Sequence, residues 1–353
     1  MISEILKKTS SWEMLKSTEL PVILYGTGNG ADRVIDEFLR LGITLSGITA
    51  SDGFVRKRQF RGFEVKEISY FEELYGDFAV AVAFGSNLDS VIKTILGVAE
   101  KHRTVVPCVP VYGDTVFNRE FIEKNKIKLE QVYGLLADDI SKEVFSDVVK
   151  FELTGELKYL LRSETSKDEA FGSILKLGAD EHCLDIGAYR GDTVDEFLKY
   201  TGGLYGSITA LEPDAKSFEK LRAHTSNLKN CRLVNKGIWS ECTEILFSDG
   251  KKGRGNSASQ KGKPVKTVTV DLLDGADKFT YIKADAEGCE GEMLYGAYNT
   301  LKKKKPKLNI ACYHRSEDIF ELPLKIREIN PDYRIYLRHH HYIPCWDMNL
   351  YCV

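Results

Sequence analysis

Short apolar runs alternate with longer amphipathic stretches along most of the chain, the pattern of strands buried on both faces with helices packed between them. A short amphipathic helix is expected over residues 1–19, and Glu19-Leu20-Pro21 breaks it before the first continuous apolar run, Val22-Ile23-Leu24-Tyr25. Gly26-Thr27-Gly28-Asn29-Gly30 follows at once, and Val34, Ile35, Phe38 and Leu41 then share one helical face until Gly42 ends it. Further strands are predicted over 45–50 and 78–84, with a short helix around 71–74. Residues 20–115 therefore read as a small Rossmann-like α/β domain. Helical spacing with charged faces and no strand-like alternation predicts a helical connector over 116–177.

A second strand-and-helix series fills residues 178–353. Strands are expected at 183–187, 207–212, 231–235, 279–285 and 308–314, then at 333–339 and 348–353. Five parallel-type strands, a helix and two closing strands make a doubly wound α/β sheet. Between the third and fourth strands, 244–247 and 266–270 alternate and flank the polar segment 248–263, which predicts a mobile hairpin close to a ligand site.

The chain's 353 residues exceed one ordinary core, so two domains fit better than one. A formal charge of -3 argues against a dedicated nucleic-acid binder. The eight cysteines form no CxxC pair and have no zinc-type histidine spacing, as expected for a reducing, cytoplasmic setting. No signal-peptide pattern opens the sequence, and its most apolar run, 78–84, is too short to span a bilayer.

The strongest chemical signal is Asp185-Ile186-Gly187-Ala188-Tyr189-Arg190-Gly191-Asp192-Thr193, set between a buried strand and an amphipathic helix. Glycines there let the chain turn sharply and bring backbone N–H groups near an anionic ligand. Glu212, ending the next strand in Ala210-Leu211-Glu212-Pro213-Asp214, lies about 20 residues beyond Gly191, where a carboxylate can accept both hydroxyls of a ribose. Turn and acid together mark a nucleoside-containing ligand, a plan shared by dinucleotide and S-adenosylmethionine sites. Further along, Asp285-Ala286-Glu287-Gly288-Cys289-Glu290 gathers three carboxylates after the fourth strand, and His314 closes the fifth.

Together with the KPKLNIACYHRSEDIFELPLKI and YRIYLRHH runs, these stretches closely resemble the FkbM family of S-adenosylmethionine-dependent methyltransferases over residues from about 150 to 353. The resemblance implies a class I methyltransferase sheet and O-methylation of a sugar, glycan, nucleotide sugar or related small hydroxyl acceptor. It places Asp185, Gly187 and Gly191 around the methionine end of the cofactor, Glu212 at its ribose and Asp285 beside the transferable methyl, with Tyr189, Asp192 and Thr193 also binding the cofactor. Removal of the acceptor's proton needs a base, and Asp285, Glu287, His314 and His339 are groups of suitable type near strand ends. His314 is the expected base because an imidazole titrates near neutrality. The carboxylates also suit a divalent metal.

Other readings remain beside this one. Gly26 to Ala31 fits a G-x-G-x-x-A fingerprint with Asp52 about 20 residues on, although Ser51-Asp52-Gly53 also makes a simple turn. An NAD-dependent oxidoreductase, or a non-catalytic nucleotide-sugar-binding scaffold, would use that loop instead. The lysines at 302–305 read as a solvated helix terminus rather than a nucleic-acid patch. Self-association into a homo-oligomer is left open.

Overall fold

A computed structural model describes residues 1–51, 55, 59–247 and 262–353. Asp52 and Gly53 lie outside the described residues, as does nearly all of the polar segment at 248–263. Among the described residues, no helix is long and apolar enough to cross a membrane.

The chain builds two units. The first comprises 1–133, 142–164 and 339–347; the second comprises 134–141, 165–338 and 348–353. The helices between 116 and 177 are thus shared between the units rather than forming a separate body. Amphipathic helices are stable mainly through the apolar face they bury, and these bury theirs in both units: Val148, Val149 and Phe151 in the first, Ala170, Phe171 and Leu175 in the second.

In the first unit, strands β1 (Val22–Tyr25), β2 (Gly47–Thr49), β3 (Gln59–Phe60), β4 (Phe63–Lys66), β5 (Ala79–Val82) and β6 (Arg103–Val105) form one sheet in the order β3-β4-β2-β1-β5-β6. Every pairing but β3 with β4 is parallel. Val22, Leu24, Ala79 and Ala81 pack against Val34 and Phe38 from the helix Asn29–Leu41. A Cβ on Gly30 would stand 2.6 Å from the Ala83 carbonyl oxygen, a steric demand for glycine that exists without any ligand.

In the second unit the strands are β7 (His182–Ile186), β8 (Ser207–Leu211), β9 (Cys231–Val234), β10 (Gly237–Ile238), β11 (Glu244–Phe247), β12 (Lys263–Val268), β13 (Tyr281–Ala284), β14 (Lys307–Ala311), β15 (Ile335–His339) and β16 (Met348–Cys352). Seven of them form a sheet in the order β15-β16-β14-β13-β7-β8-β9, in which β16 runs antiparallel to β14. β10, β12 and β11 form a small separate sheet, with β11 and β12 antiparallel. The chain leaves β7 in one direction, through β8 and β9, and returns on its other side through β13 and β14. That reversal opens a crevice at the carboxyl ends of β7 and β13, where sheets of this kind bind ligands.

Register fixes what meets at the crevice. Asp185 pairs with Lys283 and Ile186 with Ala284, so Gly187 and Asp285 emerge side by side. Gly187 has φ +76°, and a Cβ there would run into the Asp285 carbonyl oxygen. Elsewhere in the unit, Arg338 is fully buried. Its guanidinium donates to Asp138 at 2.7 Å, to Glu169 at 2.7 and 3.0 Å, to Ser141 Oγ at 2.8 Å and to the Leu337 carbonyl at 3.0 Å.

Gly187→Ala should therefore lose about 3 kcal/mol or more, because rigid backbone rather than a movable side chain blocks the new methyl. Urea unfolding checks this, and a loss below about 1 kcal/mol would contradict the close approach. Arg338→Ala should lose about 3 kcal/mol by stranding two carboxylates, and Arg338→Lys should recover only part because an ammonium lacks the planar fork.

Candidate functional site

Gly187 to Gly191 form the turn between β7 and the helix Asp192–Tyr200, with the left-handed Gly191 as N-cap. Tyr189 also takes a left-handed conformation, φ 46°, and its ring is exposed with the Arg190 guanidinium 4.6 Å from the centroid. Beneath the turn, Asp185 is buried and its Oδ2 accepts from Thr193 Oγ1 at 2.5 Å. The Asp185, Gly187, Tyr189, Gly191, Asp192 and Thr193 set is contiguous around this turn.

Glu212 stands immediately past β8. One carboxylate oxygen accepts the Tyr189 N–H at 2.9 Å and the other the Asp214 N–H at 2.8 Å. Burial pushes its carboxyl up to about 7, against the lowering effect of those two bonds. Each oxygen retains a second lone pair, so the group can accept ligand hydroxyls while it fixes the turn.

Lys283, a buried lysine on β13, is a site residue that the sequence pattern did not single out. Its Nζ lies 3.5 Å from Asp185 Oδ1 and donates to the Gly187 carbonyl at 3.3 Å. Burial alone would strip its proton, but Asp185 and Asp285 outweigh burial and hold the ammonium above the ordinary lysine value. The sequence signal was there: a lysine amid Tyr281, Ile282 and Ala284 must find a counter-charge to be buried.

Asp285, Glu287, Glu290 and His314 converge beyond β13 and β14. The strand β14 stops at Ala311, so His314 sits in the loop that follows, 1% exposed, rather than on the strand's last position. His314 Nε2 lies 3.2 Å from Asp285 Oδ1 and 3.7 Å from Glu287 Oε2, and Nδ1 lies 3.0 Å from Glu290 Oε1. Burial disfavours a charged imidazole, yet Glu290 and Asp285 overcome it and raise His314 well above its usual value. Enclosure would push Asp285 up, but His314 and Lys283 hold it well below the carboxylate range. Tyr313 Oη reaches both Asp285 oxygens, at 3.4 and 3.3 Å. Behind the histidine, burial and the Glu290 charge push Asp318 up to about 8.

These contacts change the expected roles. An imidazole already protonated between carboxylates cannot take a further proton, and at 1% exposure it lies behind Asp285 and Glu287, whose side chains are 36% and 37% exposed. His339 is placed elsewhere: it belongs to the first unit, is buried, and its Nδ1 is 3.0 Å from Ser163 Oγ. Burial, then the neighbouring His340, pushes it down to about 3, so it stays neutral.

Residues 185–344 match the methyltransferase FkbM domain. The crystal structure of the methyltransferase FkbM from Methylobacillus flagellatus KT is similar over 100% of this chain and 93% of that one, at a TM-score of 0.72 and 21% identity. At that identity the likeness establishes the fold. Two further structures are similar over about half the chain. Precorrin-6y C5,15-methyltransferase from Geobacter metallireducens GS-15 covers 52% of this chain and 83% of its own, at a TM-score of 0.32 and 14% identity. Aeropyrum pernix fibrillarin with natively bound S-adenosyl-L-methionine covers 50% and 68%, at a TM-score of 0.31 and 14% identity. Neither carries weight at such scores. No curated protein matches the chain. The stretch that matches the methyltransferase FkbM domain, residues 185–344, contains the glycine turn, Glu212, Lys283, Asp285 and His314.

Proposed function

We propose that the protein is an S-adenosylmethionine-dependent O-methyltransferase acting on a hydroxyl of a sugar, glycan, nucleotide sugar or related small acceptor. The observation that carries the reading is the pairing of the Gly187–Gly191 turn with Glu212, whose oxygens keep free lone pairs at the crevice where the strand order reverses. S-adenosylmethionine, when bound, supplies a methyl group on a sulfonium. Asp185, Gly187, Tyr189, Gly191, Asp192 and Thr193 frame its methionine end in this reading, and Glu212 accepts its ribose hydroxyls. The eight cysteines, all free, suit a reducing compartment such as the cytoplasm.

Asp285 and Glu287 are the half-exposed groups at the crevice, and we assign them to the acceptor: Asp285 orients the hydroxyl and Glu287 receives its proton as the methyl is transferred in line. His314, buried behind both, is a positioning residue, and Glu290 fixes its ring. The base thereby moves from His314, expected from the sequence, to Glu287, while Asp285 keeps the expected orienting role.

Mass spectrometry of products from a panel of nucleotide sugars and glycan fragments tests acceptor and chemistry together. A panel that yields no product gaining one methyl group in the presence of S-adenosylmethionine would count against the acceptor class. Calorimetric titration should show Glu212→Ala weakening S-adenosylmethionine binding, by on the order of 1.5 to 3 kcal/mol for each charge-assisted bond lost. Because Glu212 titrates near 7 and only its charged form is a full acceptor, parent affinity should fall about tenfold between pH 8 and pH 6. A flat profile would remove Glu212 from the ribose site. In single-turnover methyl transfer, Glu287→Gln should slow the chemical step by about 100-fold or more while leaving cofactor affinity intact. A rate within a few-fold of the parent would exclude Glu287 as the base.

A further inference from the structure

The groups around His314 have the arrangement of a cation site as well as that of an ion-paired cluster. Asp285, Glu290 and His314 each bring a ligand atom within 4.8 Å of the others. Glu287 Oε2 stands 3.7 Å from His314 Nε2, on the side where Asp285 Oδ1 approaches to 3.2 Å. Neighbouring ligands at right angles around an ion, each about 2.1 Å from it, lie about 3 Å apart, a separation that Asp285 Oδ1 and His314 Nε2 nearly match.

Two further features separate this cluster from a patch of surface acids. Although carboxylate oxygens crowd both ring nitrogens, neither nitrogen makes a directed hydrogen bond, and the ring is 1% exposed. A buried imidazolium that existed to be ion-paired would be expected to aim its N–H groups at its partners. Glu290, 0% exposed, has one oxygen held by the Ala286 N–H at 2.7 Å and the other without a hydrogen-bond partner. The held oxygen lies 3.0 Å from Nδ1, the place that a carboxylate takes behind a metal-ligating histidine to fix its tautomer.

We propose that His314 Nε2, giving up its proton to the ion on binding, joins Asp285 and Glu287 in holding a divalent cation of the Mn²⁺ class, with Glu290 as the outer partner that orients the imidazole. Two carboxylates and one imidazole are a mixed oxygen and nitrogen set that suits such an ion. Asp285 and Glu287 are exposed enough to leave coordination positions open toward the crevice. An acceptor hydroxyl bound there would be more acidic, because the cation stabilises the oxyanion that forms, and the Glu287 oxygen turned away from the ion would take its proton. This deepens the methyltransferase reading and rests on it for the acceptor, but the ion can be tested alone.

The full-length protein, stripped with a chelator, is titrated with Mn²⁺ while electron paramagnetic resonance follows the free ion. One ion per chain should bind, with nitrogen coupling from an imidazole that disappears in His314→Gln. Glu287→Gly should weaken uptake at least tenfold; glycine accepts the left-handed φ of 50° at this position, so the variant should fold. Absence of uptake up to about 1 mM Mn²⁺, or equal uptake by the parent and Glu287→Gly, would overturn the site. Calorimetry of S-adenosylmethionine with the stripped protein separates the two readings. Cofactor binding without Mn²⁺ uptake defeats only the cation, whereas Mn²⁺ uptake without cofactor binding defeats the cofactor reading and keeps the cation.

Discussion

The site depends on the contact between Gly187 and the Asp285 carbonyl, where two parallel strands end so close together that a Cβ cannot fit between them. This approach puts the turn after β7 and the acids after β13 on the two walls of one crevice. Lys283 lies directly below and spans both walls, reaching Asp185 and the Gly187 carbonyl while its charge also bears on Asp285. A buried ammonium is tolerated because it is surrounded by groups that need it. With His314, the same ammonium holds the Asp285 carboxyl below its ordinary range, against the opposing effect of partial burial.

The second unit concentrates buried charge in two places and uses it differently in each. Arg338 has its donors matched by two carboxylates, a hydroxyl and a carbonyl, which is what a structural charge requires. The cluster around His314 is not matched in this way: oxygens lie close to both ring nitrogens without directed bonds, and Glu290 keeps an oxygen without a hydrogen-bond partner. Unmatched buried polar atoms weaken a fold, and the three on Glu290 and His314 lie together beyond β13 and β14, where a ligand would satisfy them.

Much of this was legible in the order of residues. The strands 183–187, 207–212 and 348–353 are found within a residue or two of their expected bounds, because a run such as Cys183-Leu184-Asp185-Ile186 followed by glycine has few alternatives to a buried strand entering a turn. Strands β3, β4, β6 and β10 were not foreseen: β3 and β10 have two residues each, β4 buries only Val65, and β6 begins with an exposed Arg103, so none carries a full hydrophobic period. The helices at 116–177 were foreseen as helices, but periodicity reports which face is apolar and not which partner covers it.

For the site, the sequence by itself determined the local parts: a glycine turn, an acid one strand later, and carboxylates after a further strand. Each follows from short-range backbone demands and chain order. Only the tertiary structure decided how they act. Strand register brought Lys283 against Asp185, and burial put His314 behind Asp285 and Glu287, with a third carboxylate, Glu290, at its other nitrogen. His339 looked equivalent to His314 as a strand-terminal histidine, yet the fold packs it in the other unit against Ser163. The physical reason is that protonation and reach depend on distance and solvent access, which are set by residues far apart in the chain and have no period or motif to announce them.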